Sequence, residues 1–464
     1  MIEHIPASVI DITKSFQDHS YSIYLVGGCV RNMLLNKEVK DWDLTTNATP
    51  EQIQSIFPDS FYDNTFGTVG IVLHKDTPKQ IVVEVTTFRT EHGYSDSRHP
   101  DKVNWGKTID EDLARRDFTV NAMAIDMTEF HKKNIDTIEE LPSILIDPFK
   151  GHLDLNKKLI RAVGNPNERF KEDALRLMRA IRFATQLGFA IQKETLDAIV
   201  EDASLLQKIA HERIRDELIK ILASDHPFDG IMLLKNTGLL KYILPELLEG
   251  INVSQKRPGR HHTTDVFEHN VFSLKFCPSN DPVVRFATLI HDVAKPKVAS
   301  KDKDGYVIFH NHEIVGSRMA SGICDRLRFS KKDREKVTKL IRWHMFTVDE
   351  HITDSAVRRF IRRIGVENVK DMMDLRIGDR LGGGTQTAES WRLKLFKKRV
   401  EEQLAPAPFS INDLAIDGND VMKELDMKPG KKVGDILLKI FEEVDEDLSK
   451  NTKEYLIKRV REFA

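Results

Sequence analysis

The chain has 464 residues, 40% of them hydrophobic and 31% charged, with a formal net charge of −2. That length and composition predict a globular protein of more than one domain, and the balanced charge excludes a uniformly basic nucleic-acid coat, so any polyanion must be met by local patches. The three scattered cysteines (Cys29, Cys277, Cys324) exclude a thiolate zinc site, and the absence of a signal-like start or a bilayer-length apolar run predicts a cytoplasmic, non-membrane protein.

Up to about Asp147, short β-branched runs alternate with helical stretches: "SIYLVGG", "VGIVLH", "QIVVEVTTF" and "NAMAID" read as strands. Between Tyr24 and Leu44, an apolar strand leads into Gly27 and Gly28, then a helix start bearing Arg31, then Asp41-Trp42-Asp43. On a strand, Asp41 and Asp43 share a face, and two carboxylates held that close repel unless a cation sits between them. Hard oxygen ligands suit Mg²⁺ together with substrate phosphates. Alternation places Val82, Glu84 and Thr86 on one face of their strand, which makes Glu84 a third candidate acid. The glycines allow close backbone approach to a phosphate, and Arg31 can fork onto the same group. A bare DxD reads as a solvated turn; joined to the strand, the glycine pair and the arginine it points to a two-metal nucleotidyl-transfer site.

These residues resemble the polymerase-β-like nucleotidyltransferases, specifically the bacterial tRNA nucleotidyltransferases (CCA-adding enzymes) and their poly(A) polymerase relatives. Asn32 and Asn36 depart from the family's usual Asp and Gly, and neither is a proposed ligand. "YSDSRHPDKVNW" is similar to the family's flexible loop, "DLARRDFTVNAMAID" to its second motif, and "LIDPFKGHLDLNKKLIRAVGNP" with "RFKEDALRLMRAIRFATQLGF" to its downstream signature. The resemblance implies an α+β protein: a mixed-sheet head over 1–150, a helical neck over 151–225 for base recognition, a helical region over 226–402, and an RNA-binding tail over 403–464. It implies addition of C and A from CTP and ATP to the 3′ acceptor end of tRNA, with two Mg²⁺ ions on Asp41 and Asp43 and release of pyrophosphate. Glu84 either polarises the attacking hydroxyl or holds the strand geometry.

From about Asn156 onward helical periodicity takes over, with Gly188 as a C-cap and "LAPAPF" as punctuation between helical blocks. In "RRDF", Arg116 can bind phosphate or a ribose hydroxyl and Asp117 can accept from a 2′-OH, whereas Arg115 reads as a helix-surface ion pair. In "EDALR", Asp173 and Arg176 are i and i+3, neighbours on one helical face. Cytosine and adenine each present an exocyclic amino donor beside a ring-nitrogen acceptor. An aspartate and an arginine can read that edge, while guanine and uracil present the opposite order. The resemblance implies this role for the pair, with Arg179 and Arg182 nearer the phosphates or the base.

Eight of the 17 histidines fall between His261 and His351. His269, the adjacent His291 and Asp292, His312, His344 and the distal Asp379 arrive in an order that resembles the HD phosphohydrolase superfamily. Imidazoles with carboxylates suit Mn²⁺, Ni²⁺, Co²⁺ or Fe²⁺, and the resemblance implies hydrolysis of phosphomonoesters or 2′,3′-cyclic phosphates. Further on, "VRRFIRRIG" carries Arg358, Arg359, Arg362 and Arg363, which offer phosphate contacts to an RNA. Lys428, Lys431 and Lys432 stand at a helix start whose buried stripe is Ile436, Leu437, Ile440 and Val444, a segment resembling the family's tRNA-gripping tail.

Rival readings are an enzyme adding only A or only CC, a poly(A) polymerase, a phosphohydrolase whose N-terminal half only binds RNA, and a protein-modifying nucleotidyltransferase. Either a monomer or a homodimer is consistent with the sequence.

Overall fold

The computed structural model describes residues 5–63, 67–73, 81–92, 102–133, 135, 137–255, 264–346, 352–404 and 411–463. The expected flexible loop lies partly outside these, at 93–101, as does most of "LAPAPF". The chain divides into two compact units, Met1–Pro245 and Glu246–Ala464.

In the first unit, seven strands form one mixed sheet in the order β3-β4-β5-β2-β1-β8-β9. The strands are β1 (Ile23–Val26), β2 (Asp43–Thr46), β3 (Ser60–Asp63), β4 (Thr68–Leu73), β5 (Ile81–Thr87), β8 (Ala124–Asp126) and β9 (Leu145–Ile146), with β6 (Arg89–His92) and β7 (Lys102–Trp105) paired separately. β2 and β5 run parallel, and their register places Asp43 directly beside Glu84; all other pairings in the sheet are antiparallel. Val83 and Val85 are buried while Val82 and Glu84 on the other face are exposed, so the alternation in "QIVVEVTTF" holds. Val26, Phe88, Ile109, Leu113 and Ala124 form a core beneath the site, with Tyr24, Ile146 and Phe149 against it.

Two local readings change. β2 begins at Asp43, so Asp41 lies two residues before the strand and is exposed. "NAMAID" supplies only three strand residues, Ala124–Asp126, because Thr119–Asn121 forms a 3₁₀ turn. After residue 156 four two-residue strands persist, including Leu159–Ile160 paired with Ala190–Ile191.

A helix over Leu175–Leu187 ends at Gly188, whose φ of +68° is the left-handed C-cap expected there. In the second unit the regular elements among the described residues are helices, apart from the strand pair Ser300–Lys301 and Val307–Ile308. Among the described residues no helix is long and apolar enough to cross a membrane. The Lys431–Glu446 helix buries Ile436, Ile440 and Val444 as expected, with Leu437 half-buried, and leaves Lys431 and Lys432 exposed with Lys428 just before its start.

That helix is also tied to Asp354–Ile364 by charge. Buried Arg358 donates through Nε to Asp445 Oδ1 at 2.7 Å, and Arg362 Nη2 reaches Asp445 Oδ2 at 2.6 Å. Burial works against a charge on Asp445, but Arg362 and Arg358 hold its carboxyl below the usual range. Removing one member of such a pair leaves an uncompensated buried charge. Asp445→Ala is expected to cost about 3 kcal/mol in the second unit's urea unfolding, and a loss under 1 kcal/mol would mean that Arg358 finds water instead.

Candidate active site and histidine centre

The first site is a cavity of about 590 Å³ at the edge of the sheet, confined to the first unit. Gly27, Gly28, Arg31, Asp43, Glu84, Arg116, Asp117, Asp173, Arg176, Arg179 and Arg182 all line it, which gathers every sequence candidate for nucleotide and catalytic chemistry except Asp41. Asp41 is felt there nonetheless: burial raises the Asp43 carboxyl above its usual range, with Asp41 pushing the same way and Arg116 opposing. A buried carboxylate with an acidic neighbour and a third acid on the adjoining strand is a set of hard oxygens that a divalent cation would relieve.

Gly27 connects strand to helix with φ +76°, and a Cβ there would lie 2.7 Å from Arg116 Nη1 and 3.6 Å from Asp43 Oδ2. The dihedral is what calls for glycine; a Cβ would also push the Arg116 guanidinium aside.

Eight arginines line the cavity against four carboxylates. Most are held by an acid placed behind them. Fully buried Asp112 accepts from Arg115 Nη2 at 2.6 Å and Arg116 Nη2 at 3.3 Å, so Arg115 forms the ion pair expected of it. Arg179 binds Asp117 Oδ2 through Nε at 2.6 Å and Nη2 at 2.5 Å. Arg182 donates to Glu217 at 2.6 Å, and Arg213 to Asp173 Oδ2 at 2.9 Å. Arg31 donates instead to the Asn121 amide oxygen at 2.6 Å; burial foremost, then Arg182, lower its pKa to about 10. The ring of Phe183 sits among three guanidinium groups, those of Arg182, Arg31 and Arg179, at 4.0, 5.3 and 5.4 Å from its centroid.

Two expected roles are altered by these contacts. Asp117 Oδ1 accepts from Phe118 N at 2.9 Å and from Asn121 Nδ2 at 3.3 Å, so with Arg179 on Oδ2 the carboxylate's acceptor sites are taken and none remains for a 2′-OH. Although burial opposes it, Arg179 and Arg176 hold this carboxyl below its ordinary range. Asp173 is not on a helical face with Arg176: it lies in extended backbone after Pro166–Glu172 and before Leu175–Leu187. Its Oδ1 accepts Leu175 N at 3.0 Å, while Arg176 Nη1 donates to Glu172 at 2.5 Å and Arg169 O at 3.2 Å, and its Nη2 to Arg115 O at 3.2 Å.

Sequence reasoning missed Asp112, although Arg115 and Arg116 stand at i+3 and i+4 from it. It also missed Arg213 and Glu217, on the His211–Leu222 helix, for which no local spacing gives a signal.

The second site lies in the second unit, and the structure brings all six of its expected residues together. His269 Nε2 and His291 Nε2 are 3.2 Å apart, and His312 Nε2 and His344 Nε2 are 3.3 Å apart. Asp292 sits between the pairs: Oδ2 is 3.2 Å from His269 and 3.3 Å from His291, and Oδ1 is 3.2 Å from His312 and 3.7 Å from His344. Asp379 Oδ1 closes the first pair, 3.3 Å from His269 Nε2. The Nδ1 atoms of His291, His312 and His344 lie 2.7–2.8 Å from backbone carbonyl oxygens. A carbonyl only accepts, so Nδ1 carries the hydrogen and the Nε2 lone pairs turn inward.

Burial and neighbouring His291 hold His344 down to about 3, so it stays neutral. Burial opposes ionisation of Asp292, yet His291 and Lys295 keep its carboxyl well below the usual range. Lys295 Nζ is 2.5 Å from Asp292 Oδ2, and Arg376 Nη1 is 3.0 Å from Asp379. Both cations line a cavity of about 400 Å³ with Asp292, His312, His344 and Asp379.

Two nitrogen pairs with opposed lone pairs and one carboxylate offering an oxygen to each are a donor set for two first-row divalent ions. Elemental analysis after gel filtration is expected to find about two Mn²⁺ or Co²⁺ per chain. Asp292→Ala should lower occupancy at both positions, His344→Ala at one. Equal, full loading of all three proteins would refute that donor set.

Comparison with known proteins follows the same division. Residues 23–161 match the Poly A polymerase head domain family, 188–250 the RNA- and SrmB-binding site of polymerase A, and 308–460 tRNA nucleotidyltransferase domain 2. A CCA-adding enzyme of Limosilactobacillus reuteri (strain DSM 20016) is 45% identical over 232 residues, 50% of this chain and 53% of that protein, so the match spans about half that relative's length. A CCA-adding enzyme of Ligilactobacillus salivarius (strain UCC118) is 30% identical over 474 residues, 100% of this chain and 98% of its own. The crystal structure of the Bacillus stearothermophilus CCA-adding enzyme in complex with CTP superposes with a TM-score of 0.73 at 26% identity, covering 98% of this chain and 96% of the other.

Proposed function

This chain belongs to the CCA-adding enzyme family, a family of nucleotidyltransferases, and on that premise we propose that it extends the 3′ acceptor end of tRNA by C, C and A from CTP and ATP. One observation carries the reading: the Asp43–Glu84 pair and the Asp173/Arg176 pair line the same cavity. A nucleotide there has one end at the acids and its base edge at the aspartate and arginine. We assign residues 1–150 to the catalytic head, 151–225 to the neck, 226–402 to the histidine region and 403–464 to the tail, where exposed Lys428, Lys431 and Lys432 meet tRNA phosphates. The setting is the cytoplasm.

The divalent ions are Mg²⁺, which suits an all-oxygen set and would supply activation of the tRNA 3′-hydroxyl and neutralisation of the departing pyrophosphate. Asp41 and Asp43 would hold them, with Glu84 beside Asp43 in the parallel register of the two strands. The arginines do the remaining electrostatic work. Arg31 and Arg116, lying against Gly28 and Gly27, take the triphosphate, while Asp112, Asn121 and Asp117 keep them and Arg179 in place so that little reorganisation accompanies charge transfer.

Asp173 reads the exocyclic amino group and Arg176 the ring nitrogen. Both keep capacity for this: three of the five Arg176 N–H groups are engaged, leaving two. Asp173 Oδ1 accepts from Leu175 N and Arg213 Nη1, but its Oδ2 accepts only from Arg213 Nη2 among the described contacts and keeps one lone pair. Guanine or uracil would meet donor with donor and acceptor with acceptor, and a mispaired buried group costs about 1–3 kcal/mol.

With labelled CTP and ATP, the protein is expected to extend tRNA lacking CCA, CA or A alone. Extension of only the last would make it an A-adding specialist. Asp43→Ala is expected to abolish all three. Arg176→Ala is expected to reduce discrimination against GTP and UTP by about ten- to a hundredfold, and Arg213→Ala, which frees Asp173, by less. Unchanged triphosphate preference in Arg176→Ala would overturn the base-reading assignment.

The inward-facing histidines favour a second activity, hydrolysis of phosphomonoesters or 2′,3′-cyclic phosphates. The ions there, Mn²⁺, Ni²⁺ or Co²⁺, would supply an activated water, while Lys295 and Arg376 bind the phosphate oxygens. Phosphate release from p-nitrophenyl phosphate is expected to survive Asp43→Ala and to vanish in Asp292→Ala. Loss in Asp43→Ala would move that chemistry to the head.

A further inference from the structure

The Asp354–Ile364 helix uses its four arginines in two ways. Arg358 and Arg362 turn to Asp445, whereas Arg359 and Arg363, one residue further on and one turn apart, are exposed and line a cavity of about 380 Å³. Among the described residues no carboxylate pairs with either. Four aromatic rings line that cavity, Trp343, Phe346, Phe360 and Phe396, with Phe346 stacked on Phe396 at 5.3 Å and tilted against Phe360 at 4.8 Å. Its one lining carboxylate, Glu313, lies 3.7 Å from Arg342 Nη1. The Arg342 and Arg363 guanidinium groups lie 4.3 and 4.8 Å from the Trp343 ring centroid.

The cavity adjoins the histidine centre. Trp343 and Met345 flank His344 in the chain, and Met345, 59% exposed, lines both this cavity and the one containing Asp292 and His344. Aromatic faces with unpaired arginines are the means by which proteins hold single-stranded RNA: bases stack, and phosphates pair with guanidinium. On the hydrolase reading the one phosphate of a mononucleotide goes to the histidine centre with Lys295 and Arg376. Arg359 and Arg363, in the adjoining cavity, are then left for a further phosphate of a longer strand.

We propose that this cavity is a subsite for the 3′ end of an RNA strand that terminates in a phosphate. The penultimate base lies on the Trp343 and Phe346 walls, the preceding phosphodiester pairs with Arg359 and Arg363, and the terminal phosphate enters the histidine cavity. The proposal rests on the hydrolase reading above and supplies its substrate class. In the reaction, the oxygen of water bonds to phosphorus, the phosphorus–oxygen bond to the ribose breaks, the ribose oxygen takes a proton, and inorganic phosphate leaves. The product is a free 3′-hydroxyl.

The test uses the full chain stripped of metal by a chelator, so that binding is read without turnover. The probe is a trinucleotide ending in a 3′-phosphate, and the signal is quenching of Trp343 fluorescence, taken as the difference between the wild type and Trp343→Phe. Saturable quenching is expected, and the double variant Arg359→Gln/Arg363→Gln should raise the half-saturating concentration about tenfold and flatten its salt dependence. Quenching absent at Trp343, or a half-saturating concentration unmoved in the double variant, would overturn the subsite.

A second arm separates this from the hydrolase reading. With Mn²⁺ restored, the wild type should release phosphate from the trinucleotide with about tenfold higher kcat/KM than from a mononucleoside 3′-phosphate, a preference the double variant erases. If neither probe is hydrolysed while the quenching result holds, the hydrolase reading falls and the subsite stands. Hydrolysis with no such preference would leave the hydrolase and remove the subsite.

Discussion

The first unit is organised around the difficulty of keeping many guanidinium groups close together and largely out of water. Six of the cavity's arginines are individually matched: Arg115 and Arg116 to Asp112, Arg176 to Glu172, Arg179 to Asp117, Arg182 to Glu217 and Arg213 to Asp173. Asp112, Glu172 and Glu217 stand behind the lining, on the Ile109–Ala114, Pro166–Glu172 and His211–Leu222 helices, whereas Asp117 and Asp173 face the cavity themselves. Each pair limits the side-chain entropy lost when a ligand arrives and leaves N–H groups pointing into the cavity. Arg31 differs from these six: its partners are the amides of Asn32 and Asn121, its pKa is depressed, and Asn121 in turn donates to Asp117. An anion entering the cavity would complete that arrangement.

Legibility in the sequence followed the range over which geometry is set. Asp43, Glu84, Gly27 and Arg31 could be found because strand alternation and a strand-to-helix turn are local, and the parallel register then put Asp43 beside Glu84. The six residues of the histidine centre were legible as an ordered series. Long-range pairing was not. That Arg213 holds Asp173, or Glu217 holds Arg182, depends on how the His211–Leu222 helix packs some 35–40 positions downstream. Asp117 shows the other limit: its type suited a ribose hydroxyl, but folding had already committed its oxygens to Arg179, Asn121 and its neighbour's backbone. Asp173 failed as a helical residue because its own carboxylate accepts Leu175 N, the side-chain-to-backbone bond by which aspartate favours a helix entrance over its interior.

The two sites solve charge accumulation with opposite means. In the first, excess positive charge is balanced by acids and aimed at a polyanion. In the second, one buried aspartate divides its two oxygens between two pairs of imidazoles, and backbone carbonyls fix the orientation of His291, His312 and His344. Backbone contacts of this kind make the arrangement of those three rings a property of the Pro282–Leu289, His312–Arg326 and Lys331–Trp343 helices and the turns beside them, since the rings cannot swing without breaking a bond to the main chain.

The clamp on Asp445 has an evolutionary reading. Its partners, Arg358 and Arg362, are encoded more than eighty codons upstream. A recombination event that replaced the C-terminal segment with one lacking this aspartate would leave buried Arg358 without its carboxylate and half-buried Arg362 without its partner. The stretch from the mid-350s to the mid-440s is therefore under pressure to travel through gene exchange as one inherited block.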